Sequence, residues 1–300
     1  MARFRIGRHL RSRIHLVWMV ISLMIIILLP FLLGIGLYIK STLLLEEKSL
    51  WDLLFSSDWR PLSGNFGFLS FAISSLWVTA LSLLIAGPIC LLTAIHLTQY
   101  AKKWVLQIMH PVIDILAGIP SVIFGVWGIL VIVPFISRYV APVFGIETSG
   151  YTILSGSIVL AVMIIPFILN IMIDVFKMIP DELKEASLSL GASKWQTIKL
   201  VLVRKAFPGI VSAFGLGISR AFGETIAVLM VVGNVAKIPT GIFQAGYPLP
   251  ALIANNYGEM LSIPMYDSAL MLAALILFCV VLIFNFLSRM LIMRSEKIIN

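Results

Sequence analysis

The sequence predicts an all-α polytopic membrane protein with six transmembrane helices, on three observations. Mean hydropathy is +1.05, with 60% hydrophobic and only 12% charged residues, a balance far from that of a water-exposed fold. Six apolar runs, 16–39, 66–97, 113–136, 152–173, 210–232 and 268–287, match the ~20 residues a helix needs to cross the hydrocarbon core. Lys and Arg gather in alternate connections, the bias that orients membrane proteins, and an even number of spans leaves both termini on one side.

The amino end carries Arg3, Arg5, Arg8, Arg11 and Arg13 ahead of the first run. That run is too long for a signal-peptide core, and no A-x-A-like cleavage site follows it, so it is expected to remain as a span. Lys102 and Lys103 lie between runs two and three. Lys177, Lys184, Lys194, Lys199, Arg204 and Lys205 lie between runs four and five, and Arg289, Arg294 and Lys297 in the tail. The opposite side holds only Lys40, Lys48, Arg60, Arg138 and Lys237. Both termini are therefore expected in the cytoplasm of a multi-pass plasma-membrane protein. The net charge of +8 follows from this asymmetry and the lipid surface it faces, without a nucleic-acid partner. Cys90 and Cys279 fall in apolar segments without C-x-x-C spacing, and read as buried thiols.

Residues 1–65 form a basic amino end, a first span and an outer loop; residues 66–300 form a five-helix core. The outer loop 40–65 holds Trp51 and Trp59, suited to an interfacial anchor or to a docking surface. Gly118, Pro120, Gly125 and Gly128 crowd the third run, where a broken or closely packed helix is expected. Asp114 is placed at that run's inner edge, as a helix-terminal carboxylate or a pathway group. The outer loop 234–267, with four prolines and Glu259, is expected to be irregular.

The fifth run contains Arg220 and Glu224, four residues apart, which one helix would place on one face within the membrane. Ionisable groups at that depth cost about 3 kcal/mol on insertion scales, so they face a protein interior or a polar pathway. Two readings stand: groups lining a pathway, or an ion pair that fixes packing. Gly215, Ser219 and Gly223 form a neighbouring stripe that admits a second helix closely.

Between runs four and five, the segment 177–208 offers a helix start at Pro180, Asp181 and Glu182, a break at Gly191 and a second helix. The stretch EASLSLGASKWQTIKLV from Glu185 resembles the EAA loop of ABC-importer permeases. It agrees at Glu185, Ala186 and Gly191, and departs with Ser187 for the second Ala and Arg204 for the final Pro. LAGIPSVIFGVWG from Leu116, SRAFGETIAVLMVVGN from Ser219 and LPALIANNYGE from Leu249 resemble the PstC-type permeases of phosphate importers. The sister PstA type more often reads GETAPLL where this chain has GETIAVL at 223–229.

The resemblance implies a type I importer permease, with a coupling element from Glu185 through Ala186, Gly191 and Ala192 to Trp195. It also implies a PstA-type sister permease, two cytoplasmic ATPase subunits that bind ATP and Mg, and an extracytoplasmic phosphate-binding protein. The chain has no cofactor of its own in this reading, and no G-x-x-x-x-G-K-[ST] phosphate loop. It is thus read as a pore-forming subunit, not an enzyme, of a bacterial or archaeal membrane. Alternatives are a permease for molybdate or sulfate, an ATPase-independent secondary transporter, an intramembrane enzyme using Glu224 or Asp114, or a membrane scaffold. For the enzyme, His9, His15, His96 and His110 form no evident nucleophile–base pair.

Overall fold

The computed structural model describes residues 8–260 and 263–299. Arg3 and Arg5 of the basic amino end lie outside the described residues. Helix α1 (Arg8–Glu47) is followed by short helix α2 (Leu50–Phe55) and a two-residue hairpin, β1 (Trp59–Arg60) and β2 (Asn65–Phe66), in the antiparallel register Trp59↔Phe66. Then come α3 (Leu69–Ile95), which continues as a π turn to Tyr100, α4 (Lys103–Gly118), α5 (Ser121–Val143) and α6 (Ile153–Lys177). The chain ends with α7 (Asp181–Ser189), α8 (Lys194–Gly223), α9 (Ile226–Leu229), α10 (Leu249–Met260) and α11 (Pro264–Ile299). Six of these, α1, α3, α5, α6, α8 and α11, are long and apolar enough to cross a membrane.

Four of the six expected spans coincide with α1, α3, α6 and α11. The third and fifth are displaced. Run 113–136 straddles two helices, because the chain breaks at Ile119 and Pro120 between α4 and α5. Asp114 consequently lies inside α4 and not at a helix end, and it accepts a 2.8 Å hydrogen bond from Asn170 Nδ2 of α6. Run 210–232 ends too late, since the long helix stops at Gly223. It also starts too late: α8 begins at Lys194, with Ile198, Leu202, Ala206 and Ile210 buried along one side while Lys199, Arg204 and Lys205 stay exposed.

Helix α6 is the centre of the main core, burying Val159, Leu160, Ile164, Ile168, Met172 and Ile173 against α3, α4 and α8. The facing side of α3 is small and polar, with Ser74, Ser75, Ser82, Ala86, Gly87 and Cys90 buried. Ser74, Ser75 and Ser82 turn their hydroxyls back to carbonyls of their own helix, such as Ser74 to Ser70, which satisfies those three donors. Glycine allows equally close approach elsewhere: a Cβ at Gly209 would stand 2.4 Å from Val175 Cγ1. Gly209→Val is expected to destabilise the α6–α8 contact by about 1–3 kcal/mol, read as a lower melting temperature of the purified permease. Gly36→Ala on α1, where a Cβ meets nothing within 4 Å, is the control that should not shift.

A second core gathers the outer loop with α10 and α11. Trp59 packs at 4.9 Å from Phe71, 5.7 Å from both Phe66 and Phe68, and 5.9 Å from Tyr266, ring centre to ring centre. Trp59 is therefore a packing residue, whereas Trp51 is exposed and stacks only on Phe55. The loop after α9 is irregular as far as Pro248, then forms the twelve residues of α10, which the proline content did not anticipate. Its carbonyls at Gln244 and Ile242 accept from the amides of Ile153 and Leu154, satisfying donors that the start of α6 would otherwise leave open. Helix α1 is exposed from Leu16 to Leu33 and packs on α11, with Gly34 against Phe278.

Candidate functional site: an interrupted helix and an exposed helical hairpin

Two places concentrate polar chemistry. The first lies where α8 stops. Gly223 is its last residue, Glu224 adopts an extended backbone with φ −73 and ψ 125, and α9 restarts at Ile226. Arg220 and Glu224 thus do not share a helix face, which corrects the expectation from their spacing, and no ion pair joins them. Arg220 is exposed in the last turn of α8, its guanidinium 4.8 Å from the ring centre of Phe167 on α6. Glu224 is half-buried, and its Oε1 accepts from the Ala227 amide at 3.2 Å, capping α9. It also lines a narrow cleft with Ser75, Thr79, Val228, Pro248 and Pro250.

Ser75 ties the roof of that cleft to α3: the Leu249 amide donates to Ser75 Oγ at 2.9 Å. Phe167, Ser75 and Thr79 were missed from the sequence. The available signal was the run of hydroxyl residues, Ser70, Ser74, Ser75, Thr79 and Ser82, on one otherwise apolar helix. The small-residue stripe behaves as expected at two of its positions. Gly215 meets Ser288, and Ser219 Oγ lies 3.0 Å from Asn285 Oδ1, both on α11, while Gly223 is open.

The second place is the hairpin of α7 and the start of α8. Helix α7 starts after Pro180, as the sequence predicts, and buries none of its residues. It ends at Ser189, and two residues later Gly191, with a φ of +85, lets the chain reverse. The Gly191 amide donates to Leu188 at 3.0 Å and the Ala192 amide to Ser187 at 3.3 Å. Ser193 then caps α8 reciprocally with Gln196, a capping box. Glu185, Ala186, Gly191 and Trp195 are exposed, and Ala192 is half-buried. Leu188, Leu190 at 89% exposure and Trp195 at 53% are exposed apolar side chains flanking the turn. Lys194 Nζ sits 4.3 Å over the Tyr100 ring, fixing the turn to the end of α3.

Residues 88–297 match the family described as binding-protein-dependent transport system inner membrane component. The chain belongs to that family. This permease is 38% identical to a probable ABC transporter permease protein, YqgH, of Bacillus subtilis, over 82% of this chain and 78% of the relative. It is 35% identical to the phosphate transport system permease protein PstC of Pasteurella multocida, over 82% of this chain and 81% of the other. A probable PstC of Methanocaldococcus jannaschii is 32% identical over 87% of both. Among solved structures, the methionine ABC transporter MetNI in an inward-facing conformation matches 74% of this permease and 91% of that chain, with TM-score 0.52 and 21% identity. That likeness shows the fold, a type I importer permease. The chain is accordingly a membrane-embedded permease subunit, and the hairpin of α7 and α8 occupies its EAA-type loop.

Proposed function

We propose that this permease forms the translocation pathway of an ATP-driven phosphate importer, together with a sister permease of PstA type. The observation that carries the reading is Arg220, an exposed guanidinium held against Phe167 beside a break in a membrane-spanning helix. Relatives sharing about a third of its residues are phosphate permeases. Arg stays ionised and donates in a planar fork that suits a tetrahedral oxyanion. Glu224, capping α9 in the adjacent cleft, would limit how tightly that anion is held, so that it can leave again.

Two cytoplasmic ATPases, with their ATP and Mg, would dock on the exposed turn from Glu185 to Trp195, and an extracytoplasmic phosphate-binding protein would deliver the anion to the opposite end. Residues 1–65 act as an added span and outer loop beside the five-helix core of 66–300. The distribution of Lys and Arg supports a cytoplasmic location for α7 and both termini. In a background with Cys90→Ala and Cys279→Ser, single cysteines at the exposed Ser189 and Thr240 should label from opposite sides of the membrane. Labelling of both from one side would overturn this orientation. The substrate is tested by binding-protein-dependent uptake of labelled phosphate into vesicles holding the complete complex. Phosphate should compete and molybdate and sulfate should not; stronger competition by either would reassign the substrate.

A further inference from the structure

A polar cavity of about 190 Å3 lies beneath the start of α7, outside the apolar docking face and far along the chain from Arg220. It is lined by Thr98 and Gln99 from the end of α3, Lys177 and Pro180 from the α6–α7 junction, and Asp181 and Lys184 from α7. Its volume would hold about six waters, ample for one tetrahedral oxyanion. Two lysines, Lys177 and Lys184, line it. Lys177 Nζ contacts His110 Nε2 at 2.6 Å and forms no ion pair with any described carboxylate. Lys184 has no ion pair, since among the described residues Arg60 with Asp58 is the one carboxylate–cation pair. Asp181 lines the same cavity and forms no ion pair with either lysine.

The charges at this spot decide what it accepts. The carboxyl end of α6 and the amino end of α7 contribute opposite partial charges of about half a unit each, which offset one another. Two lysines against one aspartate leave about one positive charge. A cation is disfavoured and an anion favoured. Basic pockets between helices at the cytoplasmic membrane surface suit phosphate headgroups for the same reason.

We propose that this cavity is a binding site for a phosphate-bearing anion, held by Lys177 and Lys184 at the root of α7. The ligand is free inorganic phosphate or the headgroup of an anionic lipid; both present the same oxyanion. Occupancy would tie α7 to the ends of α3 and α6 and so stiffen the element on which the ATPases are proposed to dock. The site's side of the membrane rests on the proposed orientation, but its chemistry does not.

The test uses the complete transporter in nanodiscs and reads amide hydrogen exchange across Asp181–Ser189. One arm titrates inorganic phosphate into phosphatidylcholine discs. The other replaces part of the phosphatidylcholine with phosphatidylglycerol and omits phosphate. Slowed exchange in the first arm assigns the free anion, and in the second the headgroup. Lys177→Gln with Lys184→Gln should raise the half-saturating concentration about tenfold or more, as expected for losing charge-assisted hydrogen bonds, while the paired Arg variants should retain the response. Lys184→Gln alone leaves the Lys177–His110 contact in place and serves if the double variant fails to assemble. Unchanged exchange in both arms, or a wild-type response from the Gln variants, would overturn the site. Inorganic phosphate is also the proposed cargo, so the loss of response in the Lys177 and Lys184 Gln variants separates this site from the pathway, and Arg220→Gln, which removes the proposed pathway contact, should leave the response intact.

Discussion

Arg220→Gln should cut phosphate uptake about tenfold to a hundredfold while the complex still assembles. The expectation follows from how little of the fold depends on this side chain. Arg220 is exposed in the permease, has no carboxylate partner among the described residues, and touches Phe167 through a cation–π contact of about 0.5–1 kcal/mol at such a site. Its removal therefore leaves no stranded buried countercharge, the usual reason that breaking an ion pair unfolds a protein. A charge-assisted hydrogen bond to the moving anion contributes about 1.5–3 kcal/mol, which corresponds to a loss of about tenfold to a hundredfold. Arg220→Lys keeps the charge and can remain over the ring but loses the fork, and should fall between wild type and Gln. Glu224→Gln separates roles at the second position. Its amide oxygen still accepts from the Ala227 amide, so α9 keeps its cap, and any change in uptake reports the charge; Glu224→Ala also removes the cap, at about 1 kcal/mol. Combining Arg220→Gln with Glu224→Gln gives the decisive comparison. Uptake near the wild-type rate in that double variant, with normal ATPase attachment, would remove both residues from the pathway.

The two residues also show where the sequence ran out. Hydropathy located α1, α3, α6 and α11, because long runs without charge have no alternative in a bilayer. It misjudged the fifth span because α8 is amphipathic at its start. Lys199, Arg204 and Lys205 lower the mean hydropathy of a segment whose other side buries Ile198, Leu202, Ala206 and Ile210. At its far end the apolar sequence continues past Glu224 although the helix does not, so i to i+4 spacing does not bring Arg220 and Glu224 onto one face. The break at Gly118 to Pro120 was legible in kind, since a glycine and a proline two residues apart mark a weak helix, but the hydropathy window ran across it. The cleft beside Glu224 was not legible at all: it joins Ser75 to Leu249, 174 positions apart, and no local pattern encodes that contact. Likewise Trp59 carried an aromatic signal that composition could assign equally to lipid or partner, and only its contacts with Phe71 and Tyr266 place it in a core.

Gly191→Pro should uncouple the permease from its ATPases without preventing insertion. Gly191 sits at φ +85, a value proline cannot reach because its ring holds φ near −65°. Leu190, at φ −77 and ψ 3, lies in the bridge region and outside the extended region that a residue before proline favours. The substitution also deletes the amide that donates to Leu188 at 3.0 Å. Three constraints therefore oppose the observed turn, and α7 must leave α8 in another direction, scattering the exposed side chains of Leu188, Leu190 and Trp195. Gly191→Ala isolates the backbone part of this effect. A Cβ there meets nothing within 4 Å, so alanine faces only the left-handed conformation, at about 1–2 kcal/mol. Copurifying ATPase is expected to drop about tenfold or more for Pro, since 1.4 kcal/mol already corresponds to a factor of ten, and to drop modestly for Ala. Uptake should follow the same order, with membrane levels of the permease unchanged, because α7 buries none of its residues and the turn is exposed. Wild-type attachment and stimulated ATP hydrolysis in Gly191→Pro would show that the ATPases do not read this turn, and would move the coupling element elsewhere on the permease.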